Sequence, residues 1–314
     1  MAILIDEETT ILVQGITGRE GAALTRDSLE YGAKVLAGVT PGKGGRTVHG
    51  VPVYDTVHQA LDRHRCTAAV IAVPSAAARD AALEAIWNGI PLIVIVTERI
   101  PRRDTVEILA LAARRGTRVV GPNSLGLIAP DRTKVGMVGG PAADVRKAYR
   151  RGPVGVISRS GGMTTEIANL LSLHGIGQST CVSIGGDPMV GSSYSDLVPL
   201  FAKDPETAAV VLFCEPGGSA EEHWAEGVLR QGTPLPIIAF VAGCFADRMP
   251  GTRFGHAAVI VEGTRGSTAG KIAAFRRAGV LVAEEFSDIV PLLKKALGRK
   301  HPVHGSQFTV HGGR

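Results

Sequence analysis

The chain has 314 residues, about twice the usual domain size, so two domains of roughly 150 residues are expected. Hydrophobic residues make up 45% and aromatics only 4%, with 40 glycines, a balance that suits sheets covered by helices and packed with Val, Ile, Leu and Ala. The formal net charge is +5, but Lys and Arg form no long run and no aromatics interleave with them, so nucleic-acid binding is excluded and a field that attracts small polyanions is left.

The N-terminus, MAILIDEETTILVQG, carries acids before its apolar stretch where an export signal would carry bases. No apolar run approaches the roughly 18 residues needed to cross a bilayer, and a cytoplasmic protein is expected. Cys66, Cys181, Cys214 and Cys244 are scattered without a C-x-x-C pair and read as reduced core thiols.

The first half alternates β-branched runs with helical patterns. TILVQG (10–15), KVLAGV (34–39), AAVIAV (68–73), LIVIVT (92–97) and RVVG (118–121) are predicted strands. The helical segments between the later ones include RDAALEAIWNG and TVEILALAARRG, the latter stopping at Gly116. Apolar strands alternating with helices imply a parallel sheet covered on both faces, a Rossmann-like arrangement.

A polar, Gly- and Arg-rich stretch at 139–152 places the domain boundary near 140–150. Beyond it PVGVIS (153–158), QSTCVSIGG (178–186), AAVVLFCE (208–215), PIIAFVAG (236–243) and VLVAEE (280–285) are predicted strands. Helices are predicted near 162–173, 195–202, 219–231, 268–277 and 288–297. The pattern is again doubly wound, which makes the whole chain α/β. A polar, basic tail follows from Gly298.

Two loops carry the chemistry. In TILVQGITGREG a strand runs through Gly15, Gly18 and Gly21 into a helix, an arrangement in which bare N–H groups and a helix N-terminus receive a pyrophosphate. The spacing is G-x-x-G-x-x-G, with Thr17 where a dinucleotide fold places its middle glycine. The second strand ends in VTPGKGG and offers Lys43 where an acid would grip unmodified ribose; a cation there suits a phosphorylated ribose, as in NADP or CoA. Tight turns with no ligand remain an alternative.

PVGVISRSGGMTTE repeats the design, and Ser158, Ser160, Gly161 and Gly162 at a helix start can cradle a phosphate. The competing reading is an ordinary serine N-cap. His256, in RFGHAAVIVEG, sits between glycine and small residues at the mouth of an apolar run. Glu215 ends a strand, at the edge where open α/β sheets bind ligands; a structural histidine and a surface or capping acid are the competing readings of the two. An acid that accepts a hydrogen bond from one ring nitrogen would fix the tautomer while the other attacks phosphorus.

In order, GITGREG, VTPGKGG, GPNSLGLI, ISRSGG, GQSTCVSIGGDP, GSAEE and FGHA resemble succinyl-CoA synthetase α subunits over residues 1–297. The resemblance implies a Rossmann-like CoA-binding domain over 1–140, a flavodoxin-like phosphohistidine domain over 150–298 and a tail over 299–314. His256 would carry the phosphoryl group and Glu215 would orient it. Ser158, Ser160, Gly161 and Gly162 would hold the phosphate. Thr17, Gly18, Arg19, Glu20, Lys43, Val96, Thr97 and Glu98 would hold CoA, with Asn123 and Ser124 near its thiol end. Asp187, in GGDP, would sit in a turn near the site without a chemical role.

Two departures stand out. Where the family reads T-L-T-Y-E after SRSG, with the tyrosine helping to bind the carboxylate, this chain reads GMTTE and places Thr165 there. SRSGGM is also similar to the loop of ATP-citrate lyase, which keeps citrate, malate and other acids open beside succinate. Ser124 stands where the family often has Cys, a change read as neutral.

The chain has no recognisable ATP-grasp region, and the resemblance implies that a separate β subunit supplies one, binding ATP or GTP with Mg2+ and docking on an apolar face of the second domain as αβ or α2β2. No metal site is expected in the chain itself. A non-catalytic CoA-binding protein and an NADP-dependent oxidoreductase are the readings from other classes.

Overall fold

A computed structural model describes residues 2–232, 235–244 and 266–298. The expected tail at 299–314 and His256 lie outside the described residues. In the first domain β1 (Thr10–Gln14) lies at the centre, parallel to β2 (Lys34–Val39) on one side and β5 (Ala68–Ile71) on the other. With β3 (Thr47–Val48), β4 (Val51–Tyr54), β6 (Leu92–Ile95) and β7 (Arg118–Val120), the order is β3-β4-β2-β1-β5-β6-β7. The chain winds one way from β1 to β4 and the other way from β5 to β7. The carboxyl ends of β1 and β5 therefore flank a switch point, where such sheets open a crevice.

Helices α1 (Arg19–Tyr31), α3 (Ser75–Trp87) and α4 (Arg102–Arg115) cover this sheet. α4 ends at Gly116 with φ +72°, as the sequence predicts, and α1 ends at Gly32 with φ +105°, whose N–H reaches back to Ser28 and Leu29. The sequence reading has no counterpart for β3, β4 and α2 (Val57–Leu61). Their hairpin is only two to four residues a side and turns at His49 and Gly50, both with positive φ, too short for periodicity to register.

The second sheet is built on β10 (Arg151–Ser158), parallel to β11 (Gln178–Ser183) and β12 (Ala209–Cys214). Beyond β12 follow β13 (Ile237–Val241) and β14 (Leu281–Ala283), also parallel. Its five parallel strands follow the flavodoxin-like order, with the switch point between β10 and β12. At the β11 edge an antiparallel hairpin is added, β8 (Gly126–Ala129) and β9 (Thr133–Gly136).

That hairpin moves the boundary. Residues 126–136, which the sequence reading assigns to the first domain, are strands of the second sheet, so the chain changes sheet between β7 and β8 and not at 140–150. The polar stretch instead contains α5 (Ala142–Ala148), packed on α1 and on α6 (Gly161–Leu173). The physical reason is burial. Leu127, Ala129 and Val135 join one apolar cluster with Val13, Val70, Val94 and Val120 of the first sheet and Val182 of the second. The hairpin is thus the filling between the two sheets, and neither sheet could shed it without exposing that surface.

α7 (Tyr194–Lys203), α8 (Ala220–Gln231), α9 (Thr268–Arg277) and α10 (Ile289–Gly298) complete the second domain at the predicted places. Phe201 of α7 is fully buried against β10, where a Cβ on Gly155 would lie 2.6 Å from its ring. Phe201→Ala is expected to cost about 3–5 kcal/mol in urea unfolding, and Gly155→Ala, disruptive alone, should be tolerated in that background.

Arg132 joins the hairpin to the amino end of β12 through two bonds to Glu206, at 2.8 and 3.0 Å. Burial opposes ionisation of Glu206, but the Arg132 guanidinium leads the cationic contacts that outweigh it and hold the carboxyl at about 2. A depressed carboxyl stabilises the fold above its unfolded pKa and loses that contribution as pH falls through the folded value. The stability gap between wild type and Glu206→Gln should therefore be present at neutral pH and close between about pH 4.3 and pH 2.

Candidate functional site

At the first switch point, Gly15 leaves β1 with φ +84° and donates its N–H to Val39 O at 2.8 Å. A Cβ on Gly15 would meet Ala72 O at 2.4 Å, and one on Gly21 would meet Gly15 O at 2.2 Å. Both glycines are thus required by contact: one lets the loop pass over β5, the other seats α1 against the loop. Gly18 is the α1 N-cap and has no capping side chain, so the first N–H groups of the helix, at Arg19 and Glu20, have no intrahelical acceptor.

Thr17, where a dinucleotide fold has glycine, is held by Thr40: Thr17 Oγ1 donates to Thr40 Oγ1 at 3.1 Å, and Thr40 Oγ1 donates to Val39 O at 2.8 Å. Lys43 follows in an exposed turn closed by its own N–H to Thr40 O at 3.0 Å. A pocket of about 540 Å³ opens beside this loop, lined by Thr17, Gly18, Thr40, Pro41, Val73 and Pro74 among others. A bare loop, a helix start and an apolar-walled pocket fit a nucleotide-type ligand with a pyrophosphate. A cleft of about 610 Å³ between α7 and α8 is larger, but lies away from both glycine loops.

The VTE and GPNS segments meet at the domain junction. Thr97 Oγ1 donates to Val73 O at 2.7 Å, and Thr97 O accepts the Asn123 N–H at 3.0 Å. Val96 is half-buried behind it and Glu98 is exposed. Asn123, with φ +55°, sends Nδ2 to Asp187 Oδ1 at 3.1 Å, and its carbonyl accepts the Gly186 N–H at 3.2 Å. Arg159 completes the knot by donating to Asp187 O at 3.0 Å. Asp187, given no chemistry by the sequence reading, is the pin between the two domains' loops. Ser124 is buried and donates to Ser183 O at 2.5 Å.

At the second switch point Ser158 ends β10 and Glu215 follows β12, the neighbouring strand. Ser158 Oγ donates to Ser160 O at 2.6 Å and accepts the Ser160 N–H at 3.1 Å, which bends the chain into a tight loop. Ser160 is the α6 N-cap and accepts the Met163 N–H at 3.4 Å. The capping alternative is realised, with the hydroxyl spent on Met163, and the N–H groups of Gly161 and Gly162 are left without a helical acceptor. A Cβ on Gly161 would strike Leu125 at 2.3 Å, whereas one on Gly162 would meet nothing within 4 Å.

Thr165, one turn further on, shares a 2.9 Å hydrogen bond with the buried Tyr149 hydroxyl. Burial raises the Tyr149 phenol above its ordinary range, so the phenol stays protonated. Cys181 and Cys214 are buried and their thiols are raised by desolvation; Cys66 is pushed up to about 11 by the same cause, and Cys244 is exposed. Among the described residues no group of His, Cys, Asp and Glu could hold a metal ion, and no helix is long and apolar enough to cross a membrane.

Residues 6–99 match the CoA binding domain family and residues 157–281 the CoA-ligase family. Over 297 residues the chain is 44% identical to the succinate–CoA ligase [ADP-forming] subunit alpha 1 of Archaeoglobus fulgidus, covering 95% of this chain and 99% of that protein. The chain belongs to the succinate–CoA ligase α-subunit family.

The corresponding subunit of Methanothermobacter thermautotrophicus is 43% identical, with 94% of this chain and 97% of the relative covered. Among solved structures, a variant of Methanosaeta concilii ATP citrate lyase in complex with (3S)-citryl-CoA superposes with a TM-score of 0.89 at 23% identity, and shares the fold. It covers 99% of this chain, which spans about half, 53%, of that longer one. The residues matched by the CoA binding domain family include the first loop. Gly21→Ala is expected to weaken CoA binding by at least about tenfold in calorimetric titration because the loop must move off the helix, whereas Gly162→Ala should leave the unfolding midpoint within about 2 °C.

Proposed function

We propose that this chain is the CoA-binding, phosphohistidine-carrying α subunit of a nucleotide-dependent succinate–CoA ligase, with His256 as the phosphoryl carrier. The observation that carries this reading is that the Ser158–Gly162 loop and Glu215 follow the carboxyl ends of the adjacent strands β10 and β12 at the second switch point, within a chain 44% identical to such a subunit over nearly its whole length.

A free carboxylate is a poor electrophile toward a thiol, so it must first gain a leaving group. The nucleotide passes its terminal phosphoryl group to a ring nitrogen of His256. A carboxylate oxygen of the acid then attacks phosphorus, the P–N bond breaks, and an acyl phosphate forms. The CoA thiolate attacks the acyl carbon and phosphate departs. Glu215 accepts a hydrogen bond from the other ring nitrogen, fixes the tautomer and offsets the positive charge of the phosphorylated ring. The N–H groups of Gly161 and Gly162 face the transferred phosphoryl oxygens, with the helix dipole behind them.

The nucleotide and its Mg2+ are held by an ATP-grasp β subunit in an αβ or α2β2 assembly in the cytoplasm, and the relatives' ADP-forming names make ATP the expected donor. One observation favours a second reading of the substrate. Thr165 stands where the family's carboxylate-binding tyrosine is expected and its hydroxyl is engaged by Tyr149, which suits a different acid such as citrate or malate with the same chemistry.

With labelled ATP, acid-labile phosphate should appear on the chain only when the β subunit is present; rapid labelling of the chain alone would contradict the two-subunit reading. His256→Asn should abolish labelling and thioester formation while CoA still binds with unchanged affinity. A screen of succinate, malate, citrate and acetate identifies the acid.

A further inference from the structure

The GSAEE motif, Gly218 to Glu222, follows Glu215 closely but takes no part in either ligand loop. Its structural setting is a buried ion pair. Lys271 of α9 is fully buried and its ammonium donates to Glu221 Oε2 at 2.6 Å and to Gly217 O at 2.8 Å. The Gly217 N–H donates to Gly266 O at 2.7 Å, and the Gly266 N–H donates to Glu222 Oε1 at 2.8 Å. Both polar groups of the residue two positions after Glu215 are therefore clamped, the carbonyl by α9 and the N–H by a segment that α8 itself holds. On the other side of Glu215, the Cys214 carbonyl is fixed by the Ala242 N–H at 3.0 Å.

The clamp is needed because the turn cannot hold itself. Gly217 and Gly218 have φ of +89° and +65° and belong to no helix or strand. Burying a lysine and a glutamate together rarely gains stability over a well-packed apolar pair, since desolvation offsets their attraction. An ammonium does what an apolar side chain cannot: it satisfies a buried backbone carbonyl and a carboxylate at once. The gain lies in the geometry of the turn.

We infer that Lys271, paired with Glu221, is a positioning residue that sets the placement of the Glu215 carboxylate for phosphoryl transfer, an inference that rests on the role of Glu215 proposed above. The full chain in complex with its β subunit provides the test. The double replacement Lys271→Met with Glu221→Leu removes both charges, so neither is left buried alone. It is expected to lower kcat by at least about tenfold with KM for CoA within about twofold of wild type. Because the pair acts through Glu215, the same replacement in a Glu215→Gln background should cost no further kcat.

Losses that multiply across the two backgrounds, or an unchanged kcat, overturn the inference. Glu221→Gln leaves Lys271 without a countercharge and is expected to lower the unfolding midpoint, but it retains an acceptor for Lys271 and the bond to Gly217, so the folded complex should keep kcat within about threefold even if the double variant fails to assemble; a tenfold loss of kcat per folded complex also overturns the inference. An unmodified complex that neither takes up phosphate nor makes thioester overturns the functional reading and this inference with it, whereas multiplicative losses overturn this inference alone.

Discussion

The site depends on one backbone contact between two glycine-bearing turns. Gly185, with φ +102°, lies so close to the first domain that a Cβ on it would meet Pro122 O at 2.1 Å. Across this contact the Gly186 N–H reaches Asn123 O, Asn123 Nδ2 reaches Asp187, and Arg159 reaches the Asp187 carbonyl. The carboxyl ends of β6 and β7 in one sheet and of β10 and β11 in the other are thereby held in a single block. Each sheet alone carries one of the two glycine loops; the contact holds the sheets together.

Both halves use the same device to different ends. In each, a strand enters a small-residue loop and a helix whose first N–H groups look outward, a natural seat for phosphate oxygens. The first loop is made rigid by close packing, since Gly15 and Gly21 leave no room for a side chain. The second is made rigid by hydrogen bonds, with the Ser158 hydroxyl folding the chain back on Ser160. A loop that holds a whole nucleotide needs a shaped wall, and the pocket beside Thr17 provides it. On the proposed reading the second loop meets a phosphoryl group only in passing and needs donors and open space, and Gly162 leaves that space.

On the proposed reading, Thr165 bears on the choice of acid while the loop at Ser160 serves the phosphate chemistry. Its hydroxyl is turned to Tyr149, a phenol kept neutral by burial. The Ser160 cap is unaffected, because Thr165 lies five residues on, outside the three- and four-residue spacings at which side chains on a helix meet. On that reading substrate choice and phosphoryl chemistry are separable within a single helix.

Most strands and helices were legible from alternation and from glycine stops, as at Gly116, because a parallel sheet buried on both faces demands unbroken apolar runs. The two glycine loops were legible because their chemistry is local, a strand end and a helix start within a few residues. His256 and Glu215 took their roles from resemblance, since no spacing links residues so far apart in the chain. Hidden from sequence were the short hairpins at 47–54 and 126–136, the sheet to which the second belongs, the pin at Asp187 and the Lys271–Glu221 pair. These depend on which surfaces meet when two sheets pack, and partners 64 and 50 residues apart carry no periodic mark of one another. Local order was written in the sequence; the joining of its halves was decided by the burial of surface between them.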